Sequence, residues 1–303
     1  MKDNQISTTA MLVSLMRAVH TRLDEVKLIN DPWGEKLIPE ASLELLRGIA
    51  ENQTNFVAAT ESGQLDDQLL AYLRASPPYA SVITRARYTL DAIKNAIIKG
   101  IDQFVILGAG LDTFSLCHPE LAGKLNIFEI DHPSTQEFKR ERLKACGLSQ
   151  AKTLHYIPAD LATEDLSSIL TAGSIDPNRP TIFSWLGVTM YLTREENLST
   201  LSTIASSSAP GSEVIFTYID QKFFDKQDQA DSFRESASAV GQLGEEWLSG
   251  FDPTKLAENL DELGYTLVED LTTVQLVERY KCSGKNGFQP TSTSRIAFAR
   301  VSA

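Results

Sequence analysis

The sequence of 303 residues lacks any uninterrupted apolar run of the length that a membrane-spanning helix needs. Such a helix takes about 18 or more consecutive apolar residues. The opening residues, MKDNQISTTA, also lack the basic start and apolar core of a secretory signal. We therefore expect neither a membrane span nor a signal peptide, and we predict a cytoplasmic protein.

The sequence also has few cysteines and no net positive charge. The three cysteines, Cys117, Cys146 and Cys282, lie far apart, which fits neither a disulfide framework nor the paired spacing of a zinc site. The net charge of −12 argues against a nucleic-acid partner, because a phosphate backbone demands a basic surface. A small-molecule, peptide or protein substrate is favoured, and no metal ligand is predicted.

No internal repeat, low-complexity tract or long linker divides the chain. We predict one unit over residues 1–303, with a helical lead-in over 1–100 and an α/β core over 101–303. Two stretches of the lead-in carry apolar residues at helical spacing, and Gly100 follows the second as a stop signal. These residues are Leu12, Leu15, Met16, Val19 and Leu23, then Val82, Ile83, Ala86, Leu90, Ile93 and Ile97.

Short apolar runs alternate with helical stretches after residue 100, which is typical of βαβ units around a buried parallel sheet. Strands are predicted over 104–107, 127–130, 154–157, 181–185, 214–218, 265–268 and 296–301. Residues 272–295 suit a polar turn back into an antiparallel last strand, although 274–280 could hold a short helix. The predicted fold class is a doubly wound, Rossmann-like α/β fold with a seven-stranded, mostly parallel sheet.

Two helices of the core carry the pattern of a capping box, in which a Ser or Thr precedes a Glu by three positions. Thr193 with Glu196 is one such pair, and Ser134 with Glu137 is the other. Each pair predicts the start of a helix.

A glycine turn follows the first predicted strand, in Phe104-Val-Ile-Leu-Gly-Ala-Gly-Leu-Asp-Thr113. Gly108 and Gly110 would let the backbone approach a ligand, because neither carries a Cβ. The same turn also occurs where it only reverses the chain, so it needs support from other strand ends.

Acids at the ends of the next two strands supply that support. Glu129 and Asp131 lie 19 and 21 residues beyond Gly110, about where the ribose hydroxyls of an adenosyl or NAD-type cofactor are held. Asp131 could instead cap the following helix. Asp160 ends the third strand, where its carboxylate could accept from an adenine amino group while Leu161 covers the ring; the alternative is a solvated loop carboxylate.

The position of a third glycine separates two classes of adenosyl cofactor. In a dinucleotide fingerprint that glycine allows close packing beneath a pyrophosphate, and here it is Thr113. S-adenosylmethionine has no pyrophosphate. A methyltransferase is therefore favoured over an NAD-dependent oxidoreductase, and a cofactor-binding protein without turnover is a third hypothesis.

With these residues the chain resembles the leucine carboxyl methyltransferase family, most closely its bacterial branch of S-adenosylmethionine-dependent O-methyltransferases. The resemblance runs over most of the chain and implies the class I methyltransferase fold. Its motifs are Ala-Val-His-Thr-Arg (18–22), Asn-Asp-Pro (30–32), Thr-Arg-Ala-Arg-Tyr (84–88), Leu-Gly-Ala-Gly-Leu-Asp-Thr (107–113), Phe-Glu-Ile-Asp-His-Pro (128–133), Pro-Ala-Asp-Leu (158–161) and Gly-Val-Thr-Met-Tyr-Leu (187–192).

The resemblance also implies which residues contact S-adenosylmethionine. The ribose, the adenine and the methionine portion each have their own contacts. These are Asp131 for the ribose, Asp160 and Leu161 for the adenine, and Gly108, Ala109 and Gly110 for the methionine portion.

Arg85 matches the family arginine that grips the cofactor carboxylate, and a guanidinium can do so bidentately. The alternative for Arg85 and for Arg87 is a solvated helix face. Relatives often carry an acid immediately before Gly187, whereas this chain has Leu186. If that acid usually contacts the cofactor amino group, another group or water must do so here.

The resemblance favours oxygen as the methyl acceptor, and a carboxylate of a small molecule or peptide is the first choice. A carboxylate is already ionised at neutral pH, so no catalytic base is predicted. A phenol or alcohol would need a base, for which His132 and His118 are candidates. Tyr191 and Arg87 are candidates for the acceptor pocket.

Residues 221–250 form a polar insertion that, with the N-terminal helices, is placed to roof the crevice. We expect this lid to set acceptor specificity. The alternative is a solvated insertion without function, and the oligomeric state has no signal in the sequence.

Overall fold

The computed structural model describes residues 7–53, 67–161, 163–224, 241 and 246–302. A seven-stranded sheet in the order β3-β2-β1-β4-β5-β7-β6 lies at its centre. The strands are β1 (Gln103–Leu107), β2 (Asn126–Asp131), β3 (Leu154–Pro158), β4 (Thr181–Trp185), β5 (Glu213–Ile219), β6 (Tyr265–Thr272) and β7 (Ser294–Val301).

All seven predicted strands are present, and the fold class is confirmed. β1 to β5 pair in parallel, while β7 runs antiparallel to both β5 and β6. β1, β4 and β5 are buried along their whole length, as expected of apolar strands covered by helices on both faces. Their carboxyl ends therefore open at one edge of the sheet.

Helices flank this sheet and precede it. They are α1 (Thr8–Leu23), α2 (Glu40–Gln53), α3 (Asp67–Ala75), α4 (Pro78–Ile98), α5 (Phe114–Cys117), α6 (Pro119–Ala122), α7 (Pro133–Ala145), α8 (Leu166–Ala172), α9 (Arg194–Ser206), α10 (Leu256–Glu262) and α11 (Thr273–Arg279). We call α1 to α4 and their connections the helical cap. The cap supplies most of one buried apolar cluster, which Leu111, Val277, Cys282 and Phe288 complete. Among the described residues, no helix is both long and apolar enough to cross a membrane.

β6, which belongs to the second antiparallel strand pair, is longer than the predicted strand over 265–268. β6 continues to Thr272 because an edge strand tolerates polar residues, and Asp270 pairs there with Arg295 of β7 at 2.7 Å. A capping box of Thr272 and Gln275 then starts α11. The short helix considered over 274–280 is thus present.

The two predicted capping boxes have different outcomes. Thr193 and Glu196 form the reciprocal box at the start of α9. The box of Ser134 and Glu137 was wrong, because Pro133 occupies the first position of α7 and His132 is its N-cap. Ser134 therefore lies inside the first turn, with its hydroxyl 2.8 Å from His132 Nδ1.

Candidate functional site

A cavity of about 1380 Å³ opens at the carboxyl ends of β1 to β4 and extends between the sheet and the helical cap. Pockets for a single small ligand usually enclose about 300–1,000 Å³. The cavity is thus large enough for two ligands side by side. Most of the residues predicted from the sequence line it: Arg85, Gly108, Ala109, Gly110, Asp131, Asp160, Leu161, Leu186 and Tyr191.

The glycine turn after β1 forms one wall of the cavity. Gly108 has a φ of +69° and Gly110 a φ of +52°, values that side chains with a Cβ rarely adopt. A Cβ on Gly108 would lie 2.4 Å from Val188 Cγ2, and one on Gly110 would lie 3.3 Å from the Cβ of Ala10. Both conformation and space therefore require glycine at Gly108.

The two acids of β2 lie two residues apart and so point to the same face of the strand, but their surroundings differ. Asp131 lines the cavity, where it accepts hydrogen bonds from the backbone N–H of Gly110 and, at 2.6 Å, of His132. Burial raises the pKa of Asp131, and these two N–H groups lower it in part. Its carboxylate tethers the glycine turn to β2.

Glu129 lies two residues earlier and does not line the cavity. Its Oε2 accepts a hydrogen bond from Lys139 Nζ of α7 at 2.5 Å, and both side chains are almost completely buried. Burial raises the pKa of Glu129 to about 7, while Lys139 lowers it. The tertiary structure thus leaves Asp131 as the acid of β2 that a ligand can reach.

Asp160 and Leu161 continue the wall beyond β3. The backbone N–H of Asp160 donates to Glu164 Oε1 at 2.8 Å, which forms a tight turn at the strand end. Leu161 packs partly against the core of the sheet and also borders the cavity. A carboxylate and an apolar side chain therefore face the cavity together.

Arg85 projects from α4 against the turn after β4. A Cβ on Gly187 would lie 2.9 Å from Arg85 Nη2, and Gly187 has a φ of +73°. Burial, helped by the charge of Arg17, lowers the pKa of Arg85 to about 10, so the guanidinium keeps its proton at neutral pH. Within the described part of the chain no carboxylate pairs with it.

Arg87 lies two residues further along α4 and does not line the cavity. Its Nε lies 3.0 Å from both carboxylate oxygens of Asp91, and its guanidinium stacks over the ring of Tyr280 at 5.4 Å. The structure therefore does not bring this acceptor-pocket candidate to the site. Arg87 lies on a face of α4 where Asp91, Tyr280 and the carbonyl of Leu28 contact its guanidinium group.

A buried polar cluster joins the helical cap to the glycine turn, and the sequence reasoning missed it. Arg17 Nε donates to Asp31 Oδ2 at 2.8 Å, Thr113 Oγ1 donates to the same oxygen at 2.7 Å, and Arg17 Nη2 donates to the carbonyl of Leu111 at 2.7 Å. Burial alone would raise the pKa of Asp31, but Arg17 and Thr113 lower it overall. Thr113 was interpreted above only as the absence of a third glycine. Its hydroxyl is one of the groups that hydrogen-bond the glycine turn to the cap.

The Asn-Asp-Pro motif at 30–32 was a signal for this cluster, since Asp31 lies within it. Arg17 had no such signal. Its partners are 14 and 94 residues away, so no local spacing connects them.

The turn after β4 supplies the remaining wall. Leu186 packs against the core under the cavity. Residues 186–192, which form that turn, include no acidic side chain. Tyr191 ends a short 3₁₀ turn, Thr189–Tyr191, which is held by a 2.7 Å hydrogen bond from the N–H of Leu248 to the carbonyl of Met190.

The predicted lid, 221–250, lies largely outside the described residues. Its described parts, Gln221–Phe224, 241 and 246–250, include Glu246, Trp247 and Leu248, which line the cavity. The lid's role in specificity therefore stays a prediction.

The two histidines considered as bases both border the cavity. His132 serves as the N-cap of α7. Burial lowers the pKa of His118. Neither residue has a geometry that singles it out for proton transfer.

The cavity thus presents carboxylates that can accept hydrogen bonds on the strand-end side and, on the α4 side, a guanidinium that no described carboxylate pairs. Asp131 and Asp160 can accept from the hydroxyls and the amino group of a nucleoside. Arg85 can bind a carboxylate. A ligand with an adenosyl group at one end and a carboxylate at the other matches both sides.

Comparisons with known proteins identify a family for this chain. The family profile of leucine carboxyl methyltransferase matches residues 10–205. YktD of Bacillus subtilis, provisionally named an S-adenosyl-L-methionine-dependent methyltransferase, is 31% identical over 300 residues, which cover 97% of each chain. A protein of Mycobacterium marinum with the same provisional name is 32% identical over 212 residues, covering 70% of this chain and 63% of that protein.

Two solved structures share the fold. A protein from Thermobifida fusca, provisionally named a methyltransferase, superposes with a TM-score of 0.58 at 16% identity and covers 96% of this chain and 94% of that one. A DUF574 family protein from Streptomyces avermitilis has a TM-score of 0.56 at 15% identity, with 98% of both chains covered. At such identities the likeness concerns the fold alone.

Proposed function

The chain belongs to the leucine carboxyl methyltransferase family of S-adenosylmethionine-dependent methyltransferases, and from that premise we propose that it methylates a carboxylate oxygen of a small molecule or peptide. The observation that carries the proposal is that one cavity is lined by the Arg85 guanidinium, which no carboxylate of the described residues pairs, and by the carboxylate of Asp131. The two groups complement the two ends of the cofactor.

We assign the cofactor contacts as follows. Asp131 holds the ribose hydroxyls, and Asp160 and Leu161 meet the adenine. The turn of Gly108, Ala109 and Gly110 passes close to the methionine portion, where any Cβ on Gly108 would collide with Val188. Arg85 binds the cofactor carboxylate, and Leu186 contributes only apolar contact.

The bound cofactor supplies a methyl group on a positively charged sulfur. The protein's task is to align the acceptor oxygen with that methyl group and to exclude water. Tyr191, Trp247 and Leu248 line the cavity, and we assign them to the acceptor side. A carboxylate acceptor is ionised at neutral pH, so His118 and His132 need not move a proton.

We also propose a single catalytic unit over residues 1–303 and a cytoplasmic location. The described cysteines, Cys117, Cys146 and Cys282, are all free thiols. Free thiols are typical of a reducing compartment.

Thermal-shift titration tests the cofactor assignment, because a ligand that binds only the native state raises its stability. S-adenosylmethionine and S-adenosylhomocysteine should raise Tm and NAD should not. A response to NAD alone, or to none of the three, would refute the proposal. Radiolabelled methyl transfer to a panel of carboxylic acids and phenols then tests the reaction, and binding without any transfer would favour a cofactor-binding protein without turnover.

A further inference from the structure

The cavity has an apolar lobe inside the helical cap that the cofactor contacts above do not use. We call it the cap lobe, and its lining residues are Leu12, Val13, Met16, Ile29, Ile49 and Tyr72. These side chains belong to one apolar cluster, and all but Met16 are only partly buried. They present their free surface to the cavity.

The cap lobe begins beside the glycine turn. On α1, Ala10, Val13 and Arg17 lie on one face at helical spacing. Ala10 lies against Gly110, and Arg17 donates to the carbonyl of Leu111. Val13, between them, lines the lobe, so a ligand in the lobe would meet the edge of the glycine turn.

Charge is sparse in this part of the cavity. Among the described residues of the helical cap that line the cavity, the charged ones are Arg17, Asp31 and Arg85. Arg17 and Asp31 neutralise one another at 2.8 Å. Burial raises the pKa of Tyr72, and no neighbouring charge contributes to that rise. The described residues that line the cap lobe are therefore uncharged, and Arg85 lies beyond them, where its guanidinium meets the turn after β4.

We infer that the acceptor is a monocarboxylic acid with an extended, uncharged apolar body that occupies the cap lobe; this inference rests on the proposed function. An ammonium group, a second carboxylate or peptide N–H groups in the lobe would lose hydration without gaining a partner. Apolar methylenes gain about 0.8 kcal/mol each on leaving water. A free amino acid, a dicarboxylate or a peptide end fits less well.

The reaction balances without another reagent. A carboxylate oxygen forms the bond to the methyl carbon while the carbon–sulfur bond breaks, and its electron pair stays on sulfur. The negative carboxylate and the positive sulfonium become a neutral methyl ester and a neutral thioether. No proton is transferred.

The test measures methyl transfer to decanoate, decanedioate, leucine, a peptide ending in leucine, and 4-octylphenol. Decanoate should give the largest kcat/KM, and faster transfer to any of the others would overturn the inference while leaving methyl transfer intact. Calorimetric titration of decanoate into protein saturated with S-adenosylhomocysteine shows whether a negative result concerns the proposed function or the inference about the cap lobe. Decanoate that binds without being methylated contradicts the proposed function, whereas absence of decanoate binding overturns the inference.

Substitution of a lobe residue sharpens the test. Ile49→Lys places a cation in the lobe and should shift the ratio of decanedioate to decanoate turnover by about tenfold toward the diacid, since a desolvated charge pair is worth at least that much. Ile98→Lys is the matched control, because Ile98 is 82% exposed. An equal ratio in both variants contradicts the assignment. Unchanged affinity for S-adenosylhomocysteine shows that Ile49→Lys is folded.

Discussion

The strand-end half of the cavity and the helical cap meet at the same ligand site, but different contacts hold them. In the strand-end half the groups lie on consecutive strand ends, and one hydrogen bond from Gly110 to Asp131 ties two neighbouring loops. The cap is joined by side chains that are distant in sequence, such as Asp31 with Thr113, 82 residues apart.

A second buried polar cluster, inside the cap, also joins residues that are distant in sequence. His20 Nε2 accepts from the N–H of Leu28 at 2.8 Å, so its Nδ1 is the nitrogen that donates to Asp24 at 2.7 Å. Tyr79, 55 residues further on, donates to the same carboxylate at 2.7 Å. The comparison teaches that the strand-end half follows from strand order, whereas the position of the cap depends on buried polar pairs.

Removing the polar connection between cap and sheet should have the largest effect. Asp31→Ala leaves Arg17 buried without its partner, which should cost about 3–5 kcal/mol of unfolding free energy. Glu35→Ala is the control, because its ion pair with Arg22 is about one-third exposed and should contribute at most about 1 kcal/mol. Denaturant unfolding measures both. Equal losses would show that the two halves do not depend on this connection.

The buried pair behind the strand-end half should make stability depend on pH. The pKa of Glu129 rises from 4.5 to about 7 on folding, so its contribution is present below pH 4.5 and is lost as pH rises through 7. Up to about 3 kcal/mol should disappear across that window. Glu129→Gln should remove this slope, whereas Glu35→Gln should keep it. Unfolding curves with the same slope in wild type and Glu129→Gln would contradict the prediction.

The two acids of β2 should differ in ligand binding. Asp131→Ala should weaken S-adenosylhomocysteine and 5′-methylthioadenosine alike, by about 100-fold, since both carry the ribose and each charge-assisted hydrogen bond contributes about 1.5–3 kcal/mol. Glu129→Gln should leave both affinities nearly unchanged. Calorimetry measures the affinity of each of the two variants for each of the two ligands. If Asp131→Ala weakened neither ligand, the ribose assignment would be refuted.

The cap's own contact with the cofactor should have the smallest effect. Arg85→Met should weaken S-adenosylhomocysteine by about tenfold, the loss of one charge-assisted contact. It should leave 5′-methylthioadenosine unchanged, because that ligand has no carboxylate. Arg87→Met, two residues away and paired with Asp91, should change neither. Equal weakening of both ligands by Arg85→Met would indicate a structural role instead.

The sequence predicted the parts of this protein that are local. Each strand appeared as an apolar run, and Gly108, Asp131 and Asp160 each lie at a strand end or within two residues of it. The carboxyl ends of neighbouring parallel strands share one edge of a sheet. Residues that were predicted separately at these strand ends therefore lie close together. The family motifs pointed to the same edge.

Only the tertiary structure decided how the charged side chains pair. Glu129 and Asp131 are equivalent by spacing, yet Lys139 neutralises the first. Arg85 and Arg87 share one motif, yet Asp91 occupies the second. The reason is physical: a strand or a glycine turn follows from neighbours in the chain, whereas a buried charge needs a partner, and that partner can come from any segment that the fold brings within about 3 Å.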